Sequence, residues 1–170
     1  MAAVRKAAKA FALLMIISGC AARDRAGHHD VGVSAANYTE NFITDFYLSS
    51  SESGSGRFAG TSIKEFSRGG TGGGVCCFSL AKPGHAVRIE WYTGQRNDRE
   101  SRWVRHSAVV QATGATSDDP DSNITLIVRF FPEDKVEVEY VAQEEKPASS
   151  RNPRFDSIFT GRRVMRHVGE

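Results

Sequence analysis

The sequence predicts an all-β fold, an antiparallel β-sandwich or small barrel of seven to eight strands, preceded by a signal peptide and followed by a basic tail. Two observations carry this. After residue 30, short runs rich in Val, Ile, Phe, Tyr and Trp alternate with period two between turn residues. From residue 31 to 145 no segment carries an apolar stripe at helical spacing.

Arg5, Lys6 and Lys9 precede the apolar run "AFALLMII". That run is well short of the roughly 20 residues a membrane-spanning helix needs. A basic start, a short apolar stretch and small residues after it describe a secretory signal over residues 1–19. It ends in Ile17-Ser18-Gly19-Cys20, which resembles the lipobox of bacterial lipoproteins. The resemblance implies lipidation of Cys20 and membrane attachment through that lipid. Ala21 stands where inner-membrane lipoproteins often carry Asp, so the implied place is the outer membrane, facing the periplasm. Residues 20–30 read as a polar tether. His28 and His29 are adjacent, with no further ligands at a workable metal-binding spacing.

Beyond Cys20 about 150 residues remain, enough for one domain with a real core. Loss of Arg5, Lys6 and Lys9 with the signal takes the formal charge from +2 to −1. The basic balance therefore belongs to the signal, and no nucleic-acid partner is indicated.

Residues 31–147 form the predicted β-domain. "VGVSAANYT" and "NFITDFYLS" flank Glu40 and suggest a hairpin. In the second run Phe42, Thr44, Phe46 and Leu48 share one face, and Ile43, Asp45 and Tyr47 the other. "SSSESGSGRFAG" is a loop, and "VCCFSLA" a strand. "HAVRIEWYT" alternates Val87, Ile89 and Trp91 with Arg88, Glu90 and Tyr92. The charged loop "GQRNDRESR" leads to a strand in "WVRHSAVVQA". "NITLIVRFF" and "KVEVEYVA" form the clearest hairpin, turning at Pro132, Glu133 and Asp134. Val136, Val138 and Tyr140 face inward; Glu137 and Glu139 share the other face, read as solvated. The basic tail, residues 148–170, carries Arg151, Arg154, Arg162, Arg163 and Arg166. Its Phe155, Ile158 and Phe159 either dock as one helical turn or lie in a solvated segment.

"RGGTGGGVCCFSL", residues 68–80, is the most unusual stretch. No lysine follows the glycines and no helix opens there, which excludes a phosphate loop or dinucleotide fingerprint. Adjacent cysteines on a regular strand face opposite sides and chelate one ion poorly. Cys76 and Cys77 are then packed thiols, a vicinal disulfide or a reactive pair. The glycines serve geometry, permitting positive φ and close backbone approach ahead of the strand.

"NYTEN" at 37–41, "GGTGGGVCCFSL" at 69–80, "PGHAVRIEW" at 83–91 and "RFFPEDKVEVE" at 129–139 together resemble a family of bacterial lipoproteins known only as a domain of unknown function. The order and spacing match over roughly residues 31–141. The link after the cysteine strand is shorter here and lacks a tryptophan, which puts any role of that link in doubt. Some relatives resemble immunity lipoproteins of type VI secretion loci, beside phospholipase effectors. The resemblance implies a protein partner, either a secreted effector or another envelope component.

Catalytic frames are missing from the sequence. "GSG" at 54–56 lacks the nucleophile-elbow pattern, and no spacing pairs His106 with an acid. No cofactor or metal is called for. The expectation is a lipid-anchored, nonenzymatic binding protein, alternatively one that maintains the envelope by binding another surface component. Polar loops at 49–60 and 94–102 are its expected contact surface, with Arg96, Arg99 and Arg102 as partner-binding candidates.

Overall fold

The computed structural model describes residues 28–50, 58–117, 122–143, 154 and 167–170. Nine strands appear among them: β1 (His28–Asn37), β2 (Phe42–Ser50), β3 (Phe58–Gly60), β4 (Thr71–Ala81), β5 (Ala86–Gly94), β6 (Val104–Gln111), β7 (Thr113–Gly114), β8 (Asn123–Phe131) and β9 (Lys135–Gln143). They make two sheets, ordered β4-β1-β8-β9-β7 and β3-β2-β5-β6, and do not close into a barrel. The all-β sandwich is as the sequence predicts. The first sheet is mixed, because β1 runs parallel to β8 and β7 parallel to β9. Signal peptide, Cys20 and most of the tail, including Phe155, Ile158 and Phe159, lie outside the described residues.

The inner faces follow the alternation. Val87, Ile89 and Trp91 of β5 and Val136, Val138 and Tyr140 of β9 are buried. They pack with Phe46, Leu48, Leu126, Val128 and Phe130 in one core. Phe130 meets Phe46 edge-on at 5.8 Å and Trp91 at 5.6 Å, uniting the sheets through aromatic contacts. The buried Tyr140 hydroxyl donates to the Ala81 carbonyl, and burial pushes its pKa up to about 12.

Three local expectations change. β1 and β2 are not a hairpin: they lie in different sheets, and the turn between them carries the chain across the sandwich. On β2 the register slips between Ile43 and Asp45, so Ile43 joins the core beside Phe46 and Leu48. Gly69 and Gly70 precede β4 at φ of 128° and 57°, as expected, but Gly72, Gly73 and Gly74 lie within it.

Asn37 explains how the chain crosses. It is fully buried, and its Nδ2 donates to the carbonyls of Asn41 at 2.8 Å and Lys64 at 3.1 Å. Its Oδ1 accepts from the Thr39 amide at 3.0 Å and the Thr39 hydroxyl at 2.8 Å. One side chain thus satisfies the backbone of a tight turn and ties it to the segment before β4. That segment comes close in turn. The Asn37 amide donates to the Gly70 carbonyl at 2.7 Å. Ile63 bridges β2 at Ile43 and β4 at Gly72, linking the two sheets at this edge. A Cβ on Gly72 would sit 2.5 Å from the Ser62 carbonyl oxygen and 3.0 Å from the Ile63 Cα. Gly72→Ala is therefore expected to cost about 1–3 kcal/mol, because backbone atoms must move apart. A chemical-denaturation midpoint equal to wild type would contradict that packing.

The β1–β4 register slips twice, between the partners of Val31 and Val33 and again between those of Val33 and Ala35. The first slip spans Cys76 and Cys77, so the regular alternation used to read them does not run through this stretch. Their side chains are outside the described residues, and so is the choice among packed thiols, disulfide and reactive pair.

Candidate functional site

One end of the sandwich gathers the turn after β1, the β5–β6 loop and the β8–β9 turn. Two clefts open there. One, of about 390 Å³, has Ile43, Trp91 and Phe130 among its apolar lining and Glu40, Glu133 and Asp134 among its acids. The other, of about 650 Å³ and more open, is lined by charged side chains including Glu65, Arg68, Arg96, Asp98 and Arg102. Glu40, Asn41 and Thr93 line both, so the clefts form one groove.

Of the three arginines singled out, Arg96 and Arg102 line the wider cleft; Arg99 is exposed on the same loop but does not line it. Arg102 lies 3.8 Å from Asp98, an exposed ion pair that contributes little to stability. The Gln95 amide donates to Asp98 at 2.9 Å and shapes the loop. Glu40 accepts from the Ser67 hydroxyl at 2.6 Å, which fixes the ridge between the clefts. The described ends of the two expected contact loops do not come together. β2 pairs Phe42 with Gly94 and Ser50 with Val87, so they adjoin opposite ends of that strand. Residues 51–57 of the first loop lie outside the described residues.

Thr93 sits where the clefts meet. Its hydroxyl oxygen is 2.8 Å from His106 Nε2, and His106 Nδ1 is 3.0 Å from Asp134 Oδ1. A carboxylate only accepts, so Nδ1 carries the hydrogen; in the neutral ring Nε2 then accepts from the Thr93 hydroxyl. The imidazole stacks on Trp91, with centroids 5.3 Å apart and planes at 14°, so its orientation is held. Strand pairing places His106 opposite Trp91 and Thr93 opposite Val104, two pairs along the same ladder and so on the same face. Asp134 arrives from the other sheet. Glu133 and Asp134 have φ of 62° and 56°, left-handed values that are uncommon for residues with side chains. That strained turn points the carboxylate at His106. Sequence spacing gave His106 no acid because the acid belongs to a turn of the opposite sheet.

A second charged cluster lies on the outer face of β8 and β9. Arg129 is buried, with Nη2 2.8 Å from Glu137 and 3.1 Å from Glu139. Arg154 of the tail bonds Glu139 at 2.7 Å, and the Glu170 carbonyl oxygen accepts from both arginines. The bond to Glu139 raises the Arg154 pKa above its ordinary value. Glu137 and Glu139 are thus partners of a buried cation, not the solvated pair the sequence suggested.

No curated protein and no solved structure matches the chain. A family model, described as "Protein of unknown function (DUF3304)", matches residues 36–138. The matched span takes in Asn37, the glycine stretch, Arg68, Arg96 and Arg102 of the wider cleft, and the Thr93–His106–Asp134 chain. It covers more than half of the sequence, and the chain therefore belongs to the DUF3304 family of proteins of unknown function.

Proposed function

We propose that this protein is a lipid-anchored component of the bacterial cell envelope that acts by binding a protein partner. The carrying observation is the lipobox-like Ile17-Ser18-Gly19-Cys20 after a short apolar run. It supports attachment of the domain to a membrane surface, the outer membrane in this proposal, where tethering raises the effective concentration against a partner met there. The partner-binding surface is the wider cleft, open enough for a protein loop and flanked by exposed arginines. The proposed partner is an envelope-targeting effector of the type VI lipase kind, with this protein as its immunity factor.

The test has two arms. The full chain is expressed with a labelled fatty acid, which should be incorporated at Cys20. A deletion strain is then challenged by its parent, and the purified chain is titrated against secreted lipases of that parent strain. Protection with measurable binding supports the reading. Normal survival with no binding removes the immunity role and favours envelope maintenance through another surface component. Arg96→Glu with Arg102→Glu is expected to weaken binding at least about tenfold, since like charges forced together at an interface cost several kcal/mol. Both side chains are exposed, so stability should stay within about 0.5 kcal/mol of wild type. Unchanged affinity in that double variant would move the contact surface elsewhere.

A further inference from the structure

We propose that Thr93, His106 and Asp134 form a general-base site at which the Thr93 hydroxyl accepts an acyl group from an uncharged carboxylic ester. This goes beyond binding and adds a chemistry that the sequence frames did not reveal. Three independent features meet here. The hydroxyl, imidazole and carboxylate stand in order at 2.8 and 3.0 Å, the spacing that nucleophile, base and orienting acid require. Thr93 lines both clefts, which brings a reacting carbonyl within reach of this residue. The acid is held by two consecutive residues at left-handed φ, a strain that the turn carries without any glycine at those positions.

Each group has a defined task. As Thr93 Oγ1 attacks the ester carbonyl, its proton passes to His106 Nε2 and the new C–O bond forms. The tetrahedral centre collapses, the bond to the alcohol breaks, and the Nε2 proton goes to the departing oxygen. Water then attacks the acyl-threonine, gives its proton to Nε2, and Thr93 leaves with that proton, releasing a carboxylic acid. Ester and water go in; acid and alcohol come out. Asp134 touches no reacting atom. It is a positioning residue that keeps the hydrogen on Nδ1 and faces the cation that forms on the ring. The narrower cleft sets the substrate class. Ile43, Trp91 and Phe130 suit a short apolar acyl group, while Glu40, Glu133 and Asp134 disfavour an anionic one.

The probe is p-nitrophenyl acetate, used with the purified full chain. Acetylation should map to Thr93 by peptide mass spectrometry, with release of p-nitrophenolate. Thr93→Val should abolish that adduct, and Thr93→Ser should retain it. His106→Gln should slow it about 100-fold or more, the usual contribution of a positioned base. Asp134→Asn should slow it with no loss of melting temperature, since asparagine tolerates the left-handed turn; Asp134→Glu should recover part of the rate. Acetyl groups confined to lysines in the wild-type protein would overturn the proposal, as would release that is no faster than buffer. The wild-type adduct map decides the matter even where a variant fails to fold.

Discussion

Arg129→Ala is expected to destabilise the domain by about 3–5 kcal/mol, the usual cost of removing one partner from a buried charge pair. Arg129 is 4% exposed, and its guanidinium contacts both Glu137 and Glu139. Its loss leaves two half-buried carboxylates, at alternate positions on one face of β9, without the buried cation between them. Arg154 can still reach Glu139, but the Glu137 contact goes entirely. The Arg129 ring contact, 5.9 Å from the centroid of Phe131, is lost as well. Equilibrium unfolding in urea should show a lower midpoint with an unchanged slope. Replacing the arginine and both glutamates together by apolar residues of similar volume should recover most of the loss, because charge-free clusters of this kind are often as stable as the ionic ones. A single variant within 1 kcal/mol of wild type would mean that Arg129 is solvated, contrary to its burial; the figure is the boundary between buried and exposed pairs.

That cluster is partly legible in the sequence. The β8–β9 hairpin turns at Pro132–Asp134, and counting back from the turn sets Arg129 directly opposite Glu137. Opposed charges on the outer face were therefore implied by the register. What the register did not supply was the burial, which comes from whatever covers that face and not from the strands themselves. Alternation was informative where both neighbours are regular, as in β5 and β9. It lost its hold where the ladder slips: on β2 Ile43 joins the core although Phe46 and Leu48 keep the face read for them, and across Cys76 and Cys77 a slipped ladder leaves alternation with no face to assign.

Long-range pairing was out of reach for a different reason. β1 runs parallel to β8, and nothing near Val33 in the sequence marks Leu126 as its neighbour. The same holds for His106 and Asp134. Each sits in a readable strand or turn, but their meeting depends on how the two sheets stack. Local pattern sets which face a residue occupies; only the stacking sets what it meets there. A search for catalytic spacing in the sequence was thus bound to pass over a chain of groups whose members come from both layers.

Asn37→Ala is expected to cost about 3 kcal/mol, more than its modest size suggests, because it removes four hydrogen bonds at one buried point. The carbonyls of Asn41 and Lys64 lose their donor, and the amide and hydroxyl of Thr39 lose their acceptor. Each group left unpaired away from water costs about 1–3 kcal/mol, and partial rehydration at the turn brings the total below the simple sum. The comparison with Thr39→Val separates the clamp from a generic turn preference. That change removes only the hydroxyl and should cost about 1 kcal/mol. Asn37→Asp should be nearly as harmful as alanine, since a carboxylate keeps the acceptor, loses both donated bonds and must be buried. The damage should not stop at β1. Asn37 also fixes the turn that carries Glu40, Asn41 and the ridge between the two clefts, so hydrogen exchange should quicken from 37 to 43 and in the segment around Lys64 before it does in β5 or β9. Uniformly faster exchange across all strands would instead make Asn37 part of the global core, with no special hold on the groove.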